Sequence, residues 1–155
     1  MPTNRRQQIQ LSPDEQVAFF RERKKAALAT IDKDGFPHVV AMNYFARDGA
    51  FYMTSYGKAQ KVVNLRRDPR MTCLVEAGET YDELRGVSLV GRGEIVEEPD
   101  RIWELGVSVF ERYNAPYTEE MRPFVETMLR KRVVVKLHVD RVVSWDHRKL
   151  GLPKM

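Results

Sequence analysis

The sequence predicts a mainly β, α+β chain: a six-stranded antiparallel barrel with peripheral helices. Three observations predict it. Two tight-turn signatures, Asp32-Lys33-Asp34-Gly35 and Arg47-Asp48-Gly49, separate short apolar runs, and Asp and Gly tolerate the positive φ of a hairpin. Gly91 and Gly93 interrupt the strand-like run GVSLVGRGEIV, as a bulge or bend does in a curved sheet. The run RVVVKLHVDRVVSW, Arg132 to Trp145, is strongly β-branched and long enough to span a barrel edge and turn a corner near Val139-Asp140.

The elements follow in order. Ser12-Pro13-Asp14-Glu15 is a capping box with proline at the first helical position, so a short helix with Val17, Phe19 and Phe20 on its apolar side begins there. Ala26 to Ile31, His38 to Ala46 and Ala50 to Thr54 read as a meander of three strands joined by the two turns. Gly57 to Arg67 carries Val62, Val63 and Leu65 along one side and reads as a crossover helix that Pro69 ends. Arg70 to Ala77 and Gly86 to Val96 are two more strands, and Pro99 to Tyr113 and Thr118 to Leu129 suit helices on either side of the break at Asn114-Ala115-Pro116. The long last strand closes the sheet.

At 155 residues, 43% hydrophobic and 31% charged, the chain is expected to fold as one domain over residues 1–155, with residues 1–11 a flexible tail. The net charge of +4 is spread among both signs, without the interleaved basic and aromatic residues of a nucleic-acid stacking surface, and no apolar run reaches membrane-span length. No nucleic-acid or membrane partner is expected. The single Cys73, in the apolar run MTCLV, excludes an internal disulfide and a cysteine-based metal site, and it reads as a buried thiol in a reducing compartment. MPTNRRQQIQL lacks the apolar core of a signal peptide, so a cytoplasmic location is expected.

Function centres on Phe51 to Arg70, FYMTSYGKAQKVVNLRRDPR. A strand runs into Thr54, Ser55 and Gly57 and then a helix start, where hydroxyls and unpaired amides favour phosphate while Lys58 and Lys61 add charge. The same residues also fit an ordinary connection with a solvated basic helix face, since no glycine-rich phosphate loop is present. No Ser/His/Asp order, paired-carboxylate motif or metal-ligand spacing appears.

The segment LATIDKDGFPHVVAMNYFARDGAFYMTSYGKAQKVVNLRRDPRMTCLVEAG, the run of Lys58, Asn64, Leu65, Asp68, Pro69 and Arg70 inside it, and the ending VVSWDHRKL resemble the pyridoxamine 5′-phosphate oxidase-like split β-barrel family. They are most similar to its coenzyme F420-dependent branch. The resemblance covers roughly Ala18 to Leu150 and implies a homodimer with F420 (first choice) or FMN in a groove between subunits. It also implies the site. Met53, Thr54 and Ser55 would end the phosphate-binding strand, Lys58, Lys61 and Asn64 would follow on the helix, and His38, Val39, Val40, Ala41 and Met42 would lie along the ring and ribityl part. Trp145, Arg148 and Lys149 would reach a neighbouring subunit's cofactor, and Arg66, Lys24 or Lys25 would suit the polyanionic F420 tail. Where the oxidase proper carries an arginine on FMN phosphate this chain has His38, a departure that counts against FMN and against pyridoxamine phosphate oxidation. The implied activity is hydride transfer to a small, unsaturated or quinone-like substrate. The alternative is a non-catalytic split barrel that carries or senses flavin or haem. Tyr44, Tyr56 and Tyr81 are candidate pocket residues, and the polar loop Gly78 to Arg85 is a candidate rim, expected to be mobile.

Overall fold

The fold, a computed structural model describing residues 4–155, is one antiparallel seven-stranded sheet curled into a split barrel with helices around it. In chain order the elements are α1 (Arg5–Gln8), α2 (Pro13–Glu22), β1 (Ala26–Ile31), β2 (Pro37–Met42), β3 (Phe45–Arg47), β4 (Ala50–Tyr56), α3 (Gln60–Arg67), β5 (Arg70–Ala77), β6 (Arg85–Val96), α4 (Pro99–Tyr113), α5 (Arg122–Leu129) and β7 (Arg132–Asp146). The strand order is β2-β1-β5-β6-β7-β4-β3. A 3-10 turn over Glu119–Met121 occupies the start of the expected second C-terminal helix, which becomes α-helical at Arg122-Pro123.

The predicted strand His38 to Ala46 is two strands, and the three-strand meander is corrected accordingly. β2 pairs with β1 from Ala26↔Met42 to Ile31↔Pro37, whereas β3 pairs with β4 at the other edge of the sheet. Tyr44 causes the split. It is fully buried, its ring stacks on Phe51 at 4.6 Å, and its hydroxyl lies 2.6 Å from the Phe20 carbonyl and 2.8 Å from that of Arg23. Its own N–H donates to the Tyr113 hydroxyl at 2.8 Å and so leaves the strand ladder. Burial pushes the Tyr44 phenol up to about 12.

The turns form as expected. The Asp32 carboxylate accepts from the N–H groups of Asp34 and Phe36, with Gly35 at φ 85°, and Asp48 and Gly49 both take positive φ in the β3–β4 hairpin. The barrel core follows strand alternation: Leu28, Met53, Cys73, Val75, Val135 and Leu137 face inward, joined by Phe19 from α2 and Val62 and Leu65 from α3. Burial pushes the Cys73 thiol up to about 12, which keeps it protonated and inert. α4 lies on the outside of β4 and β7, where Leu105 meets Tyr52, Val96 and Val134.

The expected corner is a bulge. The β6/β7 register shifts between Val90 and Gly91, so that Val90 faces Arg141 and Gly91 faces Val139, leaving Asp140 as the extra residue.

Residues 4–11, expected to be a loose tail, are docked; Met1 to Thr3 lie outside the described residues. Leu11 is buried and its N–H donates to Ser144, the Ile9 carbonyl accepts from Asp146 N–H at 2.7 Å, and Lys149 binds both the Gln10 carbonyl and Glu15. Asp146 organises this end. It is 3% exposed and accepts from the Arg148 N–H, Nε and Nη2 at 3.0, 3.0 and 2.8 Å. Burial works to raise its pKa, but the Arg148 hydrogen bonds outweigh it and hold the carboxyl below its ordinary 3.8. A depressed carboxyl stabilises the fold above its unfolded pKa, and that stabilisation is lost as pH falls through the folded value. Asp146→Asn is therefore expected to cost about 2 kcal/mol near neutral pH in thermal melts, with the difference from wild type shrinking below pH 3.8.

No helix among the described residues is long and apolar enough to cross a membrane.

Candidate cofactor site

β4 ends at Tyr56, and the connection to α3 is Gly57, Lys58 and Ala59. Ala59 is the N-cap and has no side chain with which to cap, so the first amides of α3 are left to other acceptors. The Gly57 N–H donates to the Lys131 carbonyl at 2.9 Å, tying the connection to the turn between α5 and β7. Lys131 sits at φ 63°, which reverses the chain there. This bond sets Lys131 beside the connection, and Arg132 lies near enough to Lys61 for its charge to act on that lysine.

Within the corner, the Arg132 guanidinium lies 4.2 Å from the Tyr56 ring centroid, and its Nε donates to the Met128 carbonyl at 2.8 Å. Lys61 is half-buried, and its pKa is lowered first by burial and second by the Arg132 charge. Among the described residues no ion pair includes Lys58, Lys61, Arg130, Lys131 or Arg132. An uncompensated, partly desolvated cation beside another cation is unfavourable in the free protein, and an anion relieves it.

The structure sorts the other expected residues by strand and helix face. Lys58 is exposed at the corner and Thr54 half-buried on the outer face of β4, opposite Val134. Met53 is fully buried in the barrel core and Ser55 points inward at 2% exposure, its hydroxyl donating to the Tyr56 carbonyl. Asn64 is fully buried: its Nδ2 donates to Thr30 at 3.0 Å, and its Oδ1 accepts from Gln60 at 2.6 Å and Arg67 at 3.2 Å. The side chains of Met53, Ser55 and Asn64 are thus committed within the chain. Asn64→Ala is expected to cost about 2 kcal/mol in urea denaturation by stripping the buried Thr30 hydroxyl of its partner, and to leave affinity for phosphate-bearing ligands unchanged.

On β2 the residues alternate. His38, Val40 and Met42 are half-buried, while Val39 and Ala41 are exposed. His38 stands opposite Thr30, and its Nδ1 is buried with no hydrogen-bond partner. Trp145 lies at the far end of β7 from Arg132, its ring packed against Gly86 so closely that an added Cβ would clash with it. It does not join the basic corner within one chain. Arg148 and Lys149 are held by Asp146 and Glu15, Arg66 pairs with Glu97, and Lys24 and Lys25 lie over the Tyr113 ring. The loop from Gly78 is pinned by His147, whose Nδ1 lies 2.6 Å from the Tyr81 carbonyl. Arg132 was missed from sequence, although the Arg130-Lys131-Arg132 run directly before the last strand was a visible signal.

The outer face of β2, β1, β5, β6 and β7 presents Ala41, Ala27, Leu74, Ser88 and Val143 in one cross-strand row. Val39 at 60% and Val143 at 47% exposure make this a partly uncovered apolar face.

The sequence model of pyridoxamine 5′-phosphate oxidase matches residues 12–146. The chain belongs to that family. An F420H(2)-dependent biliverdin reductase of Mycobacterium tuberculosis (strain CDC 1551 / Oshkosh) is 30% identical over 134 residues, which are 84% of this chain and 86% of that protein. The crystal structure of a conserved hypothetical protein from Mycobacterium tuberculosis has a TM-score of 0.93 at 51% identity, covering 99% of this chain and 96% of that one. The haem storage protein HutZ of Vibrio cholerae has a TM-score of 0.68 at 19% identity, covering 85% and 94%, and shares the fold. The basic corner sits where strand β4 passes into α3, at the residues for which the sequence resemblance implies phosphate binding.

Proposed function

We propose that this family member is an oxidoreductase that uses coenzyme F420, with FMN as the alternative cofactor, to transfer hydride to a small, conjugated organic substrate. The observation that carries this reading is the cluster of cations without carboxylate partners at the β4–α3–β7 corner. The corner fits the group: Lys58, Lys61 and the free amides of α3 suit a phosphate, and Arg132 with its neighbours suits the further negative charges of an F420 tail. A relative that carries F420H(2)-dependent reductase in its name supports the same choice.

When bound, the deazaflavin supplies the hydride. The chain's residues hold and orient. Lys58, Lys61 and Arg132 would bind the anionic end, and the backbone of β2 from His38 to Met42 would border the ring. A second copy of the chain covers the open face around Val39, Ala41 and Val143 and brings its own Trp145 toward the groove. Sedimentation should then give the mass of a dimer.

Turnover tests the activity. With reduced F420 and a panel of quinones and conjugated enones, the 420 nm band of the oxidised cofactor is expected to grow only when enzyme and acceptor are both present. Cofactor binding with no oxidation by any acceptor would place the chain among carriers.

A further inference from the structure

A cavity of about 470 Å³ opens between α2 and the β3–β4 hairpin. It touches the start of β4, at Ala50 and Phe51, whereas Lys58 and Lys61 follow the end of that strand, about 20 Å away at the ordinary strand rise. It is therefore separate from the anion-binding corner, and its own chemistry does not depend on whether F420 binds there. The volume suits a small organic molecule.

Its walls are apolar. Val17 and Phe20 come from α2, Ala46 and Phe51 from the hairpin, and Leu89 and Val142 from the facing strands of the barrel. Val17 is 49% and Val142 40% exposed, so apolar surface at the mouth faces water. Charge is supplied by arginines. Arg47 is offset by Glu104, and Asp48 at the hairpin tip is the only carboxylate lining the cavity, but Arg21 and Arg112 enter no ion pair among the described residues. Arg112 packs 4.6 Å from the Tyr44 ring centroid and donates through Nη2 to the carbonyls of Phe20 and Arg23, while its Nε is buried without a partner. The Nε is sealed from the cavity, but a half-buried guanidinium that lines it with no counter-charge favours an anion there.

We propose that this cavity binds a small organic anion with an apolar body, a carboxylate or sulfonate on an aromatic or aliphatic frame. The body lies against Val17, Phe20 and Val142, and the anionic group faces Arg112 and Arg21.

The test is a fluorescence titration of the intact chain with 8-anilinonaphthalene-1-sulfonate. One saturable site per chain is expected, weakened about tenfold or more by Val17→Glu and by Arg21→Glu, each of which sets a carboxylate at the mouth. Both positions are exposed, so these variants fold, whereas Arg112→Ala removes bonds that tie α4 to the end of α2. Absence of a saturable site would overturn the proposal. So would binding that survives both substitutions, and binding lost on Lys61→Ala but not on Val17→Glu would move the probe to the α3 corner.

Discussion

Gly91→Val is expected to be the most damaging single substitution in the sheet, lowering stability by about 3 kcal/mol. A Cβ built on Gly91 stands 1.9 Å from the carbonyl oxygen of His138, a backbone atom of the paired strand that no rotamer change can move away. The bulge that turns β7 at Asp140 exists because Gly91 lets the two backbones approach so closely. The expected readout is a lower denaturant midpoint. Gly35→Ala is the control: Gly35 has φ 85° but open space around its Cβ position, so it carries only backbone strain, about 1 kcal/mol. Equal losses at the two sites would show that contact with His138 is not what makes Gly91 necessary.

The second large effect is on binding. Replacing both Lys58 and Lys61 with alanine is expected to weaken F420 affinity by about 3 kcal/mol, roughly 100-fold, and each single change by about 1 to 2 kcal/mol, measured by titration at fixed salt. Stability should not follow. Lys61 is desolvated and repelled by Arg132 in the free chain, so Lys61→Ala is expected to leave the thermal midpoint unchanged or higher. The pH dependence carries a definite sign. A lysine whose folded pKa lies below its unfolded value penalises the fold while charged, and the penalty is relieved as pH rises through the folded pKa. Anion binding favours the charged form, so affinity should fall as pH rises through the pKa of Lys61 in the free protein. A Lys61→Ala variant would lose that dependence.

Local chemistry made most of the fold legible. The capping box at Ser12 and Glu15, the Asp32 and Asp48-Gly49 turns and the bulge at Gly91 each depend on neighbours in sequence or on one residue's conformational freedom. Tyr44 was opaque for the opposite reason. Its backbone leaves the strand because Tyr113, 69 residues away, takes its N–H, and an apolar run such as HVVAMNYFA carries no mark of that. The anion corner was half legible. Lys58 and Lys61 stand out beside the strand end, but Arg132 joins them only through the Gly57 to Lys131 hydrogen bond, which links distant parts of the chain. Asn64 shows the converse: a residue prominent in the sequence motif turned out to clamp α3 to β1 from a buried helix face. Which face a polar residue takes is set by packing, and motif spacing alone does not reveal it.

The measurement that bears most directly on the proposed function is a pair of titrations of the purified chain, with F420 and with FMN at physiological salt, each followed by cofactor fluorescence and repeated on the Lys58→Ala/Lys61→Ala double variant. Micromolar or tighter binding of F420, stronger than that of FMN and lost in the double variant, is the predicted result. Failure of both cofactors to bind, or F420 binding that is indifferent to the two lysines, would contradict it.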